Sequence, residues 1–313
     1  MTAGLRVAVL GVSGIGRVHA RILHELGADV CAVLGSGEET SVAAAAELAR
    51  DLGIQAAPFS SIERLLQEPL DAVSICTPPH LHFTQMLRAF DRGLPVFCEK
   101  PLLHDERDLL ADVEAKLARI ETHPQRRVFV NTSNAAFIDV VRDRLPEPDR
   151  IERFSLCFHT RGPWRGAAIA ADLLPHALSL LVRLLGERDL KLVSSDSADH
   201  RYASGFRYGS CDVEVELVEA EKAESLLSFA VNGRQFRRVQ EGRGATYRVF
   251  LADEAVGDRV EAEDPFRTYI ASFLRYCRRD QPEEDGFREA AFNLRLMSRH
   301  FLNHASRAVK RSE

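Results

Sequence analysis

The run Leu5-Arg-Val-Ala-Val-Leu10-Gly11-Val-Ser13-Gly14-Ile15-Gly16 decides the fold of this chain. Leu5 to Leu10 is β-branched and apolar, the composition of a buried strand. After Gly16 the apolar residues Val18, Ile22, Leu23 and Leu26 recur at helical spacing, and Gly27 stops the helix. A glycine-rich turn therefore joins a strand to a helix N-terminus. That arrangement turns free backbone N–H groups and the positive end of a helix dipole toward an anion such as a pyrophosphate. Against the spacing GxGxxG, Gly11 and Gly16 match the outer positions, Ser13 stands at the second, and Gly14 is extra.

Outward from this run, strands and helices alternate. Ala28–Leu34 reads as a second strand and Ser41–Leu52 as an Ala-rich helix, with Glu38 and Glu39 at its start. Ser61 opens a short helix with Ser60 or Ser61 as cap, and Ala72–Cys76 is a buried strand. Phe83–Arg92 is a helix, and Val96-Phe97-Cys98 is a strand that ends in Glu99-Lys100-Pro101. His104–Ile120 reads as an amphipathic helix and Arg127–Thr132 as a closing strand. The pattern is that of a doubly wound parallel sheet. In such sheets the ligand crevice lies outside the carboxyl ends of the strands, where Thr77-Pro78-Pro79-His80-Leu81-His82 and Glu99-Lys100-Pro101 both fall. After the second strand the usual ribose-binding acid is replaced by Gly35, followed by Ser36; this leans toward NADP over NAD.

The length of 313 residues predicts two domains, a dinucleotide-binding domain over 1–133 and a second over 134–313. The charge balance, 41 − 46 = −5, offers no footprint for nucleic acid or an anionic membrane. Six scattered cysteines without a CxxC spacing read as reduced thiols, which suits a cytoplasmic setting. The N-terminus lacks a basic segment leading into an apolar one. No apolar run is expected to approach the 18 residues of a membrane span.

Taken together, Gly11-Val-Ser-Gly-Ile-Gly16-Arg-Val-His19-Ala, Thr77-Pro-Pro-His-Leu-His82 and Glu99-Lys100-Pro101 resemble the glucose–fructose oxidoreductase/inositol dehydrogenase family, Gfo/Idh/MocA. The resemblance covers essentially the whole chain. It implies an NAD(P)-dependent oxidoreductase, with an N-terminal Rossmann domain and a C-terminal α/β domain on a largely antiparallel open sheet. It further implies hydride transfer between nicotinamide and a secondary alcohol or ketone of a sugar, cyclitol or related polyol. Relatives also reduce imines and other non-sugar carbonyls, and a few act as dinucleotide-sensing regulators. Members are commonly homodimers or homotetramers through the open sheet face.

The resemblance leads to an Asp and a His four residues apart in the second half, and Asp172 and His176 stand so in an otherwise apolar helical stretch. At i and i+4 they share one helix face, and buried polar groups need partners. Lys100, His176 and Asp172 are the candidate catalytic residues. Gly11, Ser13, Gly14, Ile15, Gly16, Ser36, Thr77, Pro78, His82, Glu99 and Lys100 are the candidate cofactor contacts; Asn131, Asn134, His159 and Trp164 are candidate substrate contacts. Pro175 is expected to kink the helix before His176. No metal is expected.

Beyond residue 190, alternating runs at Leu190–Val193, Cys211–Val218, Ser225–Val231 and Thr246–Leu251 read as strands, with Asn232-Gly233 as a hairpin turn. Arg234, Arg237, Arg238 and Arg243 form a cluster, either a solvated sheet edge, an anion site or an interface. Asp264–Leu274 reads as a capped helix with Pro265 at its first position, and Glu289–Ala308 as a final helix.

Overall fold

A computed structural model describes residues 4–242, 247–278 and 285–302. Two compact units emerge. The first comprises residues 1–131 with Phe266–Ala290, and the second residues 132–265 with 291–313. The expected boundary after residue 133 lies close to the change at 131/132. The stretch 266–290, expected in the second domain, packs with the first. Its helix α8 (Pro265–Arg278) inserts Ile270, Phe273 and Leu274 into the core formed by the Gly-loop sheet. Burying those side chains contributes roughly 1.5–3 kcal/mol each, a gain that does not depend on where the segment falls in the sequence.

The first unit is a six-stranded parallel sheet in the order β3-β2-β1-β4-β5-β6. Its strands are β1 (Arg6–Leu10), β2 (Asp29–Leu34), β3 (Ala57–Phe59), β4 (Ala72–Ile75), β5 (Val96–Cys98) and β6 (Val128–Val130). Between them run α1 (Ile15–Glu25), α2 (Glu38–Leu52), α3 (Ile62–Leu65), α4 (Pro79–Asp91) and α5 (Leu110–Glu121). The order reverses direction between β1 and β4, the switch point where such sheets bind ligands.

Two departures from expectation have local causes. The strand β3 escapes a composition-based reading because it is a three-residue edge strand containing Pro58. The helix expected over 104–120 begins only at Leu110. Asp105 accepts hydrogen bonds from the backbone N–H and side chain of Arg107, and Asp112 accepts from the Leu109 N–H (2.9 Å). These side chains hold the chain in turns before the helix starts.

The second unit is an eight-stranded mixed sheet in the order β14-β13-β12-β11-β7-β10-β9-β8. Its strands are β7 (Arg153–Thr160), β8 (Leu190–Ala198), β9 (Arg201–Tyr208), β10 (Cys211–Glu219), β11 (Leu226–Val231), β12 (Arg234–Glu241), β13 (Arg248–Asp253) and β14 (Asp258–Ala262). Only β7 and β10 pair in parallel; the other neighbours are antiparallel. Asn232 and Gly233 both have positive φ (49° and 87°) in the two-residue β11–β12 turn.

One face of this sheet is covered by α6 (Ala136–Val140) and α7 (Ala168–Leu185), through Phe154, Leu156 and Phe158 of β7 and Leu173, Leu174, Leu178 and Leu181 of α7. Contrary to expectation, α7 is long and apolar enough to cross a membrane by length and composition. It is 72% buried within the protein, however, the packing of a core helix. It continues through Pro175 as one helix.

The strands β9, β12 and β14 were not anticipated. The central strand β12 hides behind its charges, because the arginines are held by neighbours. Arg234 pairs with Asp253 (2.5 Å), Arg237 with Glu254 (3.1 Å), and Arg238 donates to Ser225 (3.1 Å). The expected arginine cluster is thus largely neutralised inside the sheet; Arg243 lies outside the described residues. The final helix α9 (Phe287–Met297) starts where Asp285 accepts from the Phe287 N–H (3.0 Å). It passes into a π-helical turn at Ser298–Leu302, and residues 303–308 lie outside the described residues.

Candidate active site

In the first unit the Gly loop leaves β1 at the switch point. The Gly11 N–H donates to Leu34 C=O (2.9 Å), tying the loop to β2. Ser13 and Gly14 are exposed, and Gly16 is buried. A Cβ on Gly16 would sit 1.7 Å from the Gly11 carbonyl oxygen, so only glycine lets the loop close onto α1. The first turn of α1, which opens at Ile15, has no side-chain cap and no acidic residue. Its uncapped N-terminus and dipole therefore suit a dinucleotide pyrophosphate. A second close approach explains the missing acid after β2. A Cβ on Gly35 would lie 2.6 Å from Ser41 Oγ, which itself bonds the Gly35 N–H (3.1 Å). Ser36 is exposed beside Thr40, with their hydroxyls 3.3 Å apart.

At the neighbouring strand end, Thr77 Oγ1 donates to Gln85 (2.6 Å) and Pro78 is exposed. His82, read as a cofactor contact, is fully buried. Its Nε2 donates to Thr77 C=O (2.7 Å), and its Nδ1 lies 3.1 Å from Pro101 C=O and 3.6 Å from Cys98 Sγ. Burial keeps this imidazole below its ordinary pKa. His82 therefore fastens the loop after β4 to the loop after β5. The Lys100–Pro101 peptide in that second loop is cis.

Glu99 is likewise buried and receives a cluster that the sequence reading did not assemble. Its Oε1 accepts from His19 Nε2 (2.7 Å) and Asn131 Nδ2 (2.7 Å), while its Oε2 accepts from the Lys100 N–H (3.2 Å). Burial pulls the His19 imidazole down, yet the Cys76 sulfur and the Glu99 carboxylate outweigh it and raise the pKa to about 10. Burial pushes Glu99 up, but the His19 hydrogen bond and charge and the Asn131 amide bring it below the ordinary carboxylate value. The result is a buried ion pair that links the dinucleotide helix α1 to the backbone of Lys100. Asn131, read as a substrate contact, is 2% exposed and belongs to this cluster. Lys100 itself is half-buried. The signal that could have found His19 was its position inside the motif, one turn past Gly16.

In the second unit, Asp172 and His176 are the two half-buried residues in the Ala170–Leu181 stretch of α7, which is otherwise buried. The Asn134 amide, in a short 3₁₀ turn (Ser133–Ala135), lies 2.9 Å from His176 Nδ1, and Phe158 meets the imidazole edge-on at 5.1 Å. Asn134 is 6% exposed. With its N–H donating to Nδ1, the neutral imidazole carries its proton on Nε2. A half-turn of the amide would present its oxygen instead and allow Nδ1–H with the lone pair on Nε2.

Trp164 is half-buried against the core, and its backbone N–H donates to Glu219 Oε1 (3.1 Å). His159 departs from the expected set. Phe154, Leu156 and Phe158 point toward α7, so Ser155, Cys157 and His159 occupy the other face of the sheet. His159 therefore lies on the sheet face turned away from the Asp172–His176 helix.

Residues 5–132 match the profile described as "Oxidoreductase family, NAD-binding Rossmann fold", GFO_IDH_MocA. This segment carries the NAD-binding fold of the Gfo/Idh/MocA oxidoreductase family. An inositol 2-dehydrogenase of Cereibacter sphaeroides is 30% identical over 224 residues, 70% of this chain and 64% of that protein. The chain thus spans under two thirds of this curated relative. Another inositol 2-dehydrogenase, from Pseudarthrobacter chlorophenolicus, is 33% identical over 46% of this chain and 43% of its own length.

The fold of the chain is shared with UDP-N-acetylglucosamine 3-dehydrogenase GnnA of Acidithiobacillus ferrooxidans (TM-score 0.68, 20% identity, 96% of this chain, 99% of that one). It is also shared with the 3-ketoreductase KijD10 of Actinomadura kijaniata (TM-score 0.71, 16% identity, 95% and 96%). As in the family, a parallel nucleotide-binding sheet precedes a mostly antiparallel one. The Gly loop, the uncapped α1 and the exposed turn at Ser13 and Gly14 fit a nicotinamide dinucleotide.

Proposed function

We propose that this oxidoreductase transfers a hydride between nicotinamide and a secondary alcohol or ketone of a cyclitol, sugar or related polyol. The observation that carries the reading is the Asp172–His176 face of α7, the half-buried polar pair in a helix that otherwise fills a core. A charged or titratable pair kept at such a place suits an acid–base role. The inositol 2-dehydrogenase relatives support a polyol substrate.

A bound nicotinamide supplies the carbon that gives or receives the hydride. The protein supplies the proton path and the charge. His176 Nε2 takes the hydroxyl proton when its Nδ1–H is held by the Asn134 oxygen; in the reverse direction the imidazolium returns it. Lys100 is assigned an electrostatic role, its ammonium stabilising negative charge that develops on the substrate. Asp172 is assigned to a neighbouring hydroxyl or to orienting His176. Glu99 and His19 act behind Lys100 by fixing its backbone. Gly35 and Ser36 support a preference for NADP, since no carboxylate follows β2 directly. The six unpaired thiols are in keeping with a cytoplasmic setting, and a homodimer or homotetramer is the assembly we assign.

The test is nicotinamide absorbance with NAD and NADP against a panel of cyclitols, free sugars and nucleotide sugars. Turnover of a polyol that is lost in His176→Ala supports the reading. A chain that binds dinucleotide but turns over no alcohol or ketone in either direction overturns it.

A further inference from the structure

On the sheet face turned away from α7, three side chains of metal-binding chemistry converge. Cys157 and His159 are two apart on β7 and share that face. Glu216 stands directly opposite Cys157 on the parallel neighbour β10. Cys157 Sγ lies 3.2 Å from His159 Nε2 and 3.9 Å from Glu216 Oε1, and His159 Nε2 lies 3.8 Å from Glu216 Oε1. A tetrahedral zinc ion, with a Zn–S bond of about 2.3 Å and Zn–N and Zn–O bonds of about 2.0–2.1 Å, sets its donor atoms roughly 3.3–3.6 Å apart. The three separations match within about half an ångström, so the strands can receive one ion without moving.

We propose that Cys157, His159 and Glu216 bind a divalent cation of the zinc class, with the fourth position open to the adjoining groove. Thiolate and imidazole select such an ion over magnesium or calcium. The groove, about 510 Å³, carries the carboxylates of Asp196, Glu214 and Glu216 against the guanidinium of Arg201, a net 3 − 1 = two negative charges. Arg201 also orients the site. Its Nε donates to Glu216 Oε2 (2.9 Å) and its Nη1 to Asp196 Oδ2 (3.1 Å), which leaves Oε1 toward Cys157 and His159. On binding, the Cys157 S–H bond breaks, its proton passes to solvent and the sulfur lone pair forms the S–metal bond; no electron is transferred. The site does not rest on the assignment of His176, which packs on the opposite face against Phe158.

The full chain, stripped with a chelator, is titrated with Zn²⁺ by calorimetry and with Co²⁺ by absorbance. One ion per chain is expected, with a near-ultraviolet thiolate-to-cobalt band. Cys157→Ser should abolish that band, and Glu216→Gln should weaken Zn²⁺ binding about tenfold or more. As a check that needs no variant, Zn²⁺ should protect Cys157 of the wild-type chain from alkylation, read by mass spectrometry at that peptide. The absence of a cobalt–thiolate band, or alkylation of Cys157 at the same rate with and without Zn²⁺, overturns the site and leaves a hydrogen-bonded trio only.

Discussion

Two histidines with a carboxylate close by in space or sequence, His19 in the first unit and His176 in the second, are built for opposite ends. His19 and Glu99 in the first unit are buried at 0% and 5% exposure and meet at 2.7 Å. They are enclosed by Ser74, Cys76 and Asn131. Asp172 and His176 in the second unit keep part of their surface open on a helix whose other neighbours are buried. The first pair has every reason to stay charged and still, whereas the second keeps an open side for a reacting group. Burial, rather than residue type, separates a clamp from a reagent.

That contrast predicts a division of effects. His19→Ala leaves the Glu99 carboxylate buried beside an empty space, and should cost about 3–5 kcal/mol of stability, measured by denaturant unfolding. The same variant should show a pH signature. A histidine raised to about 10 from its ordinary 6.5 contributes stability below 6.5 that fades as pH climbs toward 10. A carboxylate lowered from 4.5 contributes above 4.5 and fades as pH falls through its folded value. The stability gap between wild type and His19→Ala should therefore be widest between pH 4.5 and 6.5 and narrow on either side. A gap independent of pH would break the comparison.

His176→Ala should behave the other way, with turnover falling roughly 10²-fold or more and the melting temperature nearly unchanged; Lys100→Ala should follow it. An unfolded His176→Ala chain, or one with normal kcat, would place that histidine with the clamp. Asn134→Leu removes the partner of Nδ1. It should lower kcat about tenfold, from a hydrogen-bond loss near 1–2 kcal/mol, and shift the kcat–pH profile while KM for the dinucleotide holds. The smallest effect belongs to Arg237→Ala. Its exposed pair with Glu254 should be worth less than about 1 kcal/mol, and a larger loss would mean that the charge on β12 has a partner other than Glu254.

Much of the candidate site in the first unit was legible because its signals are local. Strand, glycines and helix follow one another within Arg6–Glu25, and backbone sterics leave few other solutions. What the local signals left out was burial. His82 and Glu99 sit in motif positions beside a ligand crevice and Asn131 follows the last parallel strand, and all three are buried. In the second unit Asp172 and His176 were visible through their spacing. The face that His159 takes was not, because alternation along β7 separates two faces without saying which of them α7 covers.

From the amino-acid order alone came the parallel sheet, its Gly-loop crossover and the polar pair on an apolar helix, since period and turn chemistry act over a few residues. Tertiary structure decided the rest. It placed α8 in the first core, enclosed His19 with Glu99, set Asn134 on His176 and brought Cys157 opposite Glu216, 59 residues apart in sequence. Such pairings depend on which surfaces are removed from water together, and that is a property of the packed chain rather than of any short stretch of it.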